Sequence, residues 1–397
     1  MVLIRTRRRL HPAVVNRVFR HAAMAAVTLV MPACSSSSPA AAMPAASADA
    51  ADAAMGQDGP APMPEAGPML EGDGADGPAG HVLIADQFNN RVIEIDRQGN
   101  IVWHFGDGSP SAGPTSVVSP NDAERLPDGT TLIAGTGAPP AAGAAYGVTE
   151  QACAMNGCPD DRVLLVDQNG NIQWEYGAGD SGAGQLSGPV CARMVSNGHV
   201  LITDQGNARI IEVDPATSAV VWQYPADLDG GSPLADPNSA ERLSNGNTLI
   251  ADEGNNRVVE VDASGNVVWQ YPTNPSPQVL SAAAFASRLP NGNTLITDSG
   301  NSRVIEVTPQ LTVVWTFVTN ARASSFPQPF PSHAVRLADG DTLIADQLND
   351  QVIEVDSNGQ IVFSYGTIQV SGSTAGLLNA PYDAKILGDY TGLTAPQ

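Results

Sequence analysis

The sequence predicts an all-β fold, a six-bladed β-propeller with four antiparallel strands per blade. Three observations carry this. One phrase returns six times from residue 81 onward, its anchoring leucine falling at Leu83, Leu132, Leu201, Leu249, Leu295 and Leu343. Within each copy, short β-branched runs are punctuated by Gly, Asn and Asp, the pattern of strands joined by tight turns. The last copy is followed by "YDAKIL" (382–387), a first strand with no successor, whereas nothing before residue 81 supplies the first copy with one. A repeat of 40–50 residues holding four strands is a propeller blade. The C-terminal strand therefore completes the first blade and closes the ring, which removes an open edge.

Ahead of the propeller lie two segments of different character. The first 33 residues hold six arginines and no acid, and end in "HAAMAAVTLVMPAC" with an apolar core at 22–31. That core is too short to span a bilayer and fits an export signal. "VMPAC" followed by "SSSS" resembles a bacterial lipoprotein box with Cys34 as the lipidated residue. The resemblance implies a lipid anchor in the cell envelope, and the serine after the cysteine implies the outer membrane; plain secretion is the alternative. Residues 35–80 are Ala, Pro, Gly, Ser and Asp with almost no large apolar side chains, and read as a disordered tether.

The propeller is expected over 81–390, with 391–397 as a tail. Strand A is of the "SAERL" type, B of "TLIAD", C of "RVVEV" and D of "NVVWQY". Successive leucine spacings are 49, 69, 48, 46 and 48, so one period carries an insertion, placed at 136–161 in blade two. A tryptophan recurs in strand D (Trp103, Trp174, Trp222, Trp269, Trp315, with Phe363 in the sixth copy), as packing between blades requires. Asp-x-x-Asn-x-Arg recurs at the B–C turn, where Asp and Asn can bond local backbone and Arg can pair with Asp or with a neighbouring blade. An alanine recurs in strand A (Ala123, Ala192, Ala240, Ala286, Ala334, Ala384), in keeping with a crowded axis.

Function is expected where the copies disagree. The D–A connections, at 106–120, 177–189, 225–237, 272–283, 318–331 and 366–381, are long and dissimilar, while the turns of the other face are short and repetitive. Varied loops on a rigid frame are where ligands bind. The first residues of strand A sit at that mouth. Asp122, Cys191, Ser239, Phe285, His333 and Asp383 precede the alanine, and Asn121, Asn238, Ser332 and Tyr382 come one residue earlier. These ten are the candidate ligand-binding residues, and His333 is the one candidate for catalysis. One histidine with two distant carboxylates fixes no metal-ligand spacing, so neither metal nor other cofactor is expected. In an exported protein Cys153, Cys158 and Cys191 allow one disulfide and one thiol. The local Cys153–Cys158 pair is preferred, and a staple to Cys191 is the alternative.

The formal charge of −22 repels phosphate backbones, so nucleic acid is not an expected partner. A monomer binding a protein, peptide or glycan is expected, with membrane contact only through the lipid anchor.

Three resemblances bear on these readings. "TLIADEGNNRVVEVD" (248–262) resembles NHL-type six-bladed propellers, which include extracytoplasmic binding domains and some enzymes. "HAVRLADGDTLIAD" (333–346) resembles the bacterial arylsulfotransferase propellers, which implies His333 as a nucleophile that accepts sulfate. "DASGNVVW" (262–269) is similar to the tryptophan-docking repeat of pyrroloquinoline-quinone propellers, a group that includes lipid-anchored scaffolds. The leading expectation is a lipid-anchored extracytoplasmic binding module; an arylsulfotransferase-like enzyme is the alternative.

Overall fold

The structure, a computed structural model, describes residues 80–139, 153, 156–177, 185–226, 233–389, 391–393 and 395. The export signal, Cys34, the tether to residue 79 and most of the blade-two insertion lie outside the described residues. Among the described residues, no helix is long and apolar enough to cross a membrane.

Six four-stranded antiparallel sheets form the six blades. In order A to D, blade one is Pro381–Ile386, Val82–Asp86, Arg91–Ile95 and Ile101–Phe105. Blade two is Pro120–Arg125, Thr131–Gly135, Arg162–Val166 and Ile172–Tyr176. Blade three is Pro189–Met194, Val200–Asp204, Arg209–Asp214 and Ala219–Tyr224. Blade four is Pro237–Arg242, Thr248–Asp252, Arg257–Val261 and Val267–Tyr271. Blade five is Ala283–Arg288, Thr294–Asp298, Arg303–Val307 and Val313–Val318. Blade six is Pro331–Arg336, Thr342–Asp346, Gln351–Val355 and Ile361–Gly366. The C-terminal strand pairs with Val82–Asp86, so the ring closes as the lone strand A requires.

The blades are held by an apolar layer at every junction. Between blades one and two, Leu83, Val92 and Trp103 meet Ala123, Ile133 and Leu164. Equivalent clusters fill the other five junctions. Each fully buried Val, Leu or Ile in them is worth about 1.5–3 kcal/mol. The recurring alanine of strand A belongs to these clusters, which corrects its expected place at the axis. Its small size lets the innermost strand of one blade approach its neighbour.

Around this layer runs a polar latch that the tryptophan column only half reveals. Arg125, Arg242, Arg288 and Arg336, at the end of strand A, each lie over the tryptophan of the preceding blade, 4.4–4.9 Å from the ring centroid. The same guanidinium pairs with a strand C glutamate of that blade. Glu94–Arg125 is 2.7 Å, Glu212–Arg242 and Glu260–Arg288 are 2.8 Å, and Glu306–Arg336 is 3.1 Å. Between blades six and one, Arg97 takes the part, on Phe363 and Glu354. The junction of blades two and three has Leu165 and Met194 in the two charged positions, and both pack against its core. His81 and His199 each contact the latch glutamate at 2.8 Å, as Asn247 and Asn293 do in their blades. Those histidines belong to the frame.

In five blades the B–C turn is a single 3₁₀ turn, as at Gln87–Asn89, ending on a left-handed residue such as Asn90. The motif aspartate accepts from Asn and Arg at 2.7 Å each in blade one, and its second oxygen caps the Asn379 amide. Blade two has Gly135 in the aspartate position. Asp160, at the far end of the insertion, fills that space and bonds Arg162 and the Val118 amide, so the carboxylate arrives from elsewhere in the chain. In blade six Arg322 replaces the motif arginine beside Asp346. The disulfide joins Cys153 and Cys158, and Cys191 is a free, buried thiol.

Candidate ligand-binding site

The channel mouth is shaped by a defect repeated in every blade. Each strand A opens with a β-bulge, so that Pro120 pairs with Gly135 and Asp122 with Ala134 while Asn121 is skipped. The five other blades share this register shift. In a regular strand adjacent side chains point to opposite faces; a bulge re-aims one of them. In four blades the skipped residue and its successor therefore face the same opening, as Asn121 and Asp122 do. The residue before each strand A has positive φ: Ser119, Gly188, Asp236, Ala282, Phe330 and Ala380. In four blades its amide is held by the turn residue of the preceding blade, namely Asn90, Asp161, Asn256 and Asp350.

The opening is narrow, with about 10 Å³ of space for water-sized groups, room for roughly one water molecule. Nine of the ten candidate residues line it together with Val190; Asp383 lies outside the lining. The strand edges facing the axis are largely sealed by side chains. The Ala123 amide donates to Asp383, Ala192 to Asp122, Ala286 to Ser239, and Ala240 to the Cys191 sulfur. Each acceptor comes from the preceding blade, so the same column that lines the mouth stitches the ring.

Below the mouth lies an ion cluster that the column-by-column reading missed. Lys385 Nζ donates to Asp122 Oδ1 at 2.6 Å, to the Ala123 carbonyl at 2.7 Å, and to Asp383. Arg193 reaches Glu124 at 3.4 Å and Asp122 at 3.9 Å. All five ionic side chains are buried. Strand period two could have found them, because residues two beyond the candidate column share its face.

His333 sits between the two layers. Its Nε2 is 3.4 Å from Arg193 Nη2, and its Nδ1 is 3.1 Å from Asp383 Oδ1 without hydrogen-bond alignment. Arginine only donates, so Nε2 accepts and the proton of the neutral ring is on Nδ1, as inferred from the partners. Phe285 packs on the ring with centroids 3.9 Å apart. Burial, then the charges of Lys385 and Arg193, hold His333 well below the ordinary histidine range. Burial and Asp122 push the Cys191 thiol up to about 12. Both ring nitrogens of His333 thus face protein groups.

Phe285 also lines a second cavity at the A–B end, with Arg193, Val195 and Leu393 of the C-terminal tail. The layer of Phe285, His333 and Arg193 separates the two openings. Asp339, Asp341 and Glu354 form an acidic group on that side.

The family model for the outer membrane protein assembly factor BamB matches residues 159–316, from strand C of blade two into strand D of blade five. No curated protein matches the chain. Among solved structures, a Bacteroides caccae protein described as of unknown function is 16% identical, covering 74% of this chain and 97% of its own, with a TM-score of 0.51. A streptogramin B lyase is 13% identical over 77% of this chain and 92% of its own, with a TM-score of 0.49. Virginiamycin B lyase of Staphylococcus aureus, as an inactive variant with quinupristin, is 15% identical over 63% and 70%, with a TM-score of 0.42. The chain is a six-bladed β-propeller whose central blades are similar to the BamB repeat.

Proposed function

We propose that this chain is an extracytoplasmic binding module, tethered to the envelope through lipidated Cys34, that takes a protein, peptide or glycan ligand on its D–A loop face. The observation that carries the reading is the asymmetry of the two faces. Loops such as 272–282 and 319–330 differ in sequence and in how they are held: the Ser281 amide bonds Asp298 as the Ser187 amide bonds Asp204, whereas Thr319 bonds the Ser302 carbonyl. The opposite face is built from near-identical tight turns, which offer six copies of one surface and no individuality. Similarity of the central blades to an assembly factor of the outer membrane supports a partner-binding role at the envelope.

Exchange of 272–282 and 319–330 for short turns is expected to abolish capture of the partner from an envelope extract, with the fold retained. Unchanged capture would remove the assignment of that face. Cys34→Ser is expected to move the protein from the membrane to the soluble fraction; continued membrane association would reject the anchor. The arylsulfotransferase reading finds no support in the His333 geometry, since a nucleophile needs a lone pair directed at the substrate. Release of phenol from an aryl sulfate, lost in His333→Ala, would restore it.

A further inference from the structure

We propose that one half of the D–A face, built from the loops 272–283, 318–331 and 366–381, docks a partner protein with an apolar, uncharged socket that receives Phe326; this rests on the binding reading of that face and names its partner. The sequence divides the face by charge. These three consecutive connections hold one charged residue, Arg322, whereas 106–120 carries Asp107, 177–189 Asp180, and 225–237 Asp227, Asp229 and Asp236. Arg322 turns inward, onto Asp346 and, at 2.9 Å, onto Gln351. Of the B–C turns beside these loops, Ser299–Asn301 is uncharged, Glu253 accepts from Asn238, and Asp350 caps the Ala380 amide. In a chain of charge −22, this sector meets a partner without like-charge repulsion.

Apolar exposure follows the same division. Among the described residues, three large apolar side chains of the D–A connections are exposed, Val318 at 40%, Phe326 at 42% and Val370 at 46%, and all three belong to this sector. Around them Asn320, Ser324, Gln328 and Gln369 form an exposed, uncharged polar rim. An apolar centre depleted of charge inside a polar rim is the anatomy of a protein interface.

Phe326 is also held in place before any partner arrives. Its amide donates to Asn349 Oδ1 at 2.7 Å, Asn349 Nδ2 donates to Ser325 Oγ at 2.9 Å, and Asn349 is wholly buried. Gln369, beside Val370, donates its side chain to the Ser324 carbonyl at 2.6 Å and its backbone amide to the Asn349 carbonyl at 3.0 Å. Two loops therefore meet on one residue. Pro327 and Pro329 fix φ on either side of Gln328. A ring on an ordered backbone loses little entropy when it is buried, which suits a hot spot. A lipid surface is disfavoured, since the sector's one cation is spent on Asp346 and the chain's charge opposes anionic headgroups.

The test places p-benzoylphenylalanine in the full chain, one position at a time, at Phe326, at Val370, at Thr115 of the acidic half and at Asn169 of the opposite face, and irradiates the cells that make it. One protein, identified by mass spectrometry, is expected from Phe326 and Val370 and from neither control. With that protein purified, Phe326→Ala is expected to weaken binding about tenfold or more, and the unaltered chain to change in affinity by less than about threefold between about 50 and 500 mM salt. Cross-links from Thr115 alone overturn the sector and leave the binding face intact. Cross-links from Asn169 alone, or from no position, overturn both readings. A lipid or polysaccharide product overturns the protein partner. Unchanged affinity in folded Phe326→Ala, or a steep loss with salt, overturns the uncharged apolar anchor.

Discussion

Lys385 shows how a buried charge is made tolerable. Its ammonium has three protons, and Asp122, Asp383 and the Ala123 carbonyl accept all of them. Lys385→Met leaves two carboxylates buried without their cation, so a loss of about 3–5 kcal/mol is expected in urea unfolding. His333 adds a pH dependence of determinate sign. Its folded-state pKa is depressed, so below the ordinary histidine pKa the unfolded chain takes up a proton that the folded protein refuses. The stability tied to neutral His333 is complete above about pH 6.5 and declines as pH falls. Asp346, pushed up to about 6 by burial, acts oppositely: its cost is absent at low pH and complete above about 6. Comparison with His333→Gln cancels the Asp346 contribution, and the wild type is expected to lose stability faster between pH 6.5 and 5. Equal slopes would show that the imidazole does not report on folding. Cys191, raised to about 12 and bonded to the Ala240 amide, is expected to resist alkylation at pH 8 until urea is added, as read by peptide mapping.

Among the strands, the latch of arginine, tryptophan and glutamate turns an apolar junction into a directional one. Arg288→Ala removes a half-buried ion pair and a ring contact, and about 1–2 kcal/mol of stability should go with them. The junction of blades two and three is the natural control, because Leu165 and Met194 replace both charges. Leu165→Glu alone places an unpaired carboxylate in that core and is expected to destabilise. Adding Met194→Arg should recover about 1 kcal/mol or more as a coupling energy in a double-mutant cycle; strict additivity would show that the latch does not transfer. The same strand explains Arg193. Here the basic residue follows the alanine directly, one position earlier than Arg125 or Arg242. A shift of one residue turns a side chain to the opposite face, which moves the arginine from the latch into the channel.

For the whole molecule, closure and tail are separate devices. Removal of 381–397 takes away strand A of blade one together with Asp383 and Lys385, and leaves the inner edge of Val82–Asp86 unpaired. Cooperative unfolding is expected to be lost, with aggregation. Removal of 389–397 keeps the ring. It forfeits the Asp389 contact with the Ala338 amide and the packing of Leu393 beside the blade-six and blade-one core. A drop of about 1–2 kcal/mol is expected, with the transition still cooperative. Equal damage from both deletions would mean that the tail, not the strand, closes the ring.

The repeated leucine, the strand-D tryptophan and the orphan strand at 382–387 determined blade number, strand order and closure, because those follow from local periodicity and counting. The disulfide and the mouth column were also legible, since each depends on short spacing or position within a repeat. What only the tertiary structure decided is what the side chains do when strands from different blades meet. The alanines lie in junctions; Arg193 and Lys385 are drawn to carboxylates of blade two; Asp160 replaces an aspartate that Gly135 lacks. The bulge, invisible in composition, turns Asn121 and Asp122 toward one opening although alternation would part them. Period and turn chemistry are properties of neighbours in sequence, whereas pairing of charges and register of bulges are set by neighbours in space.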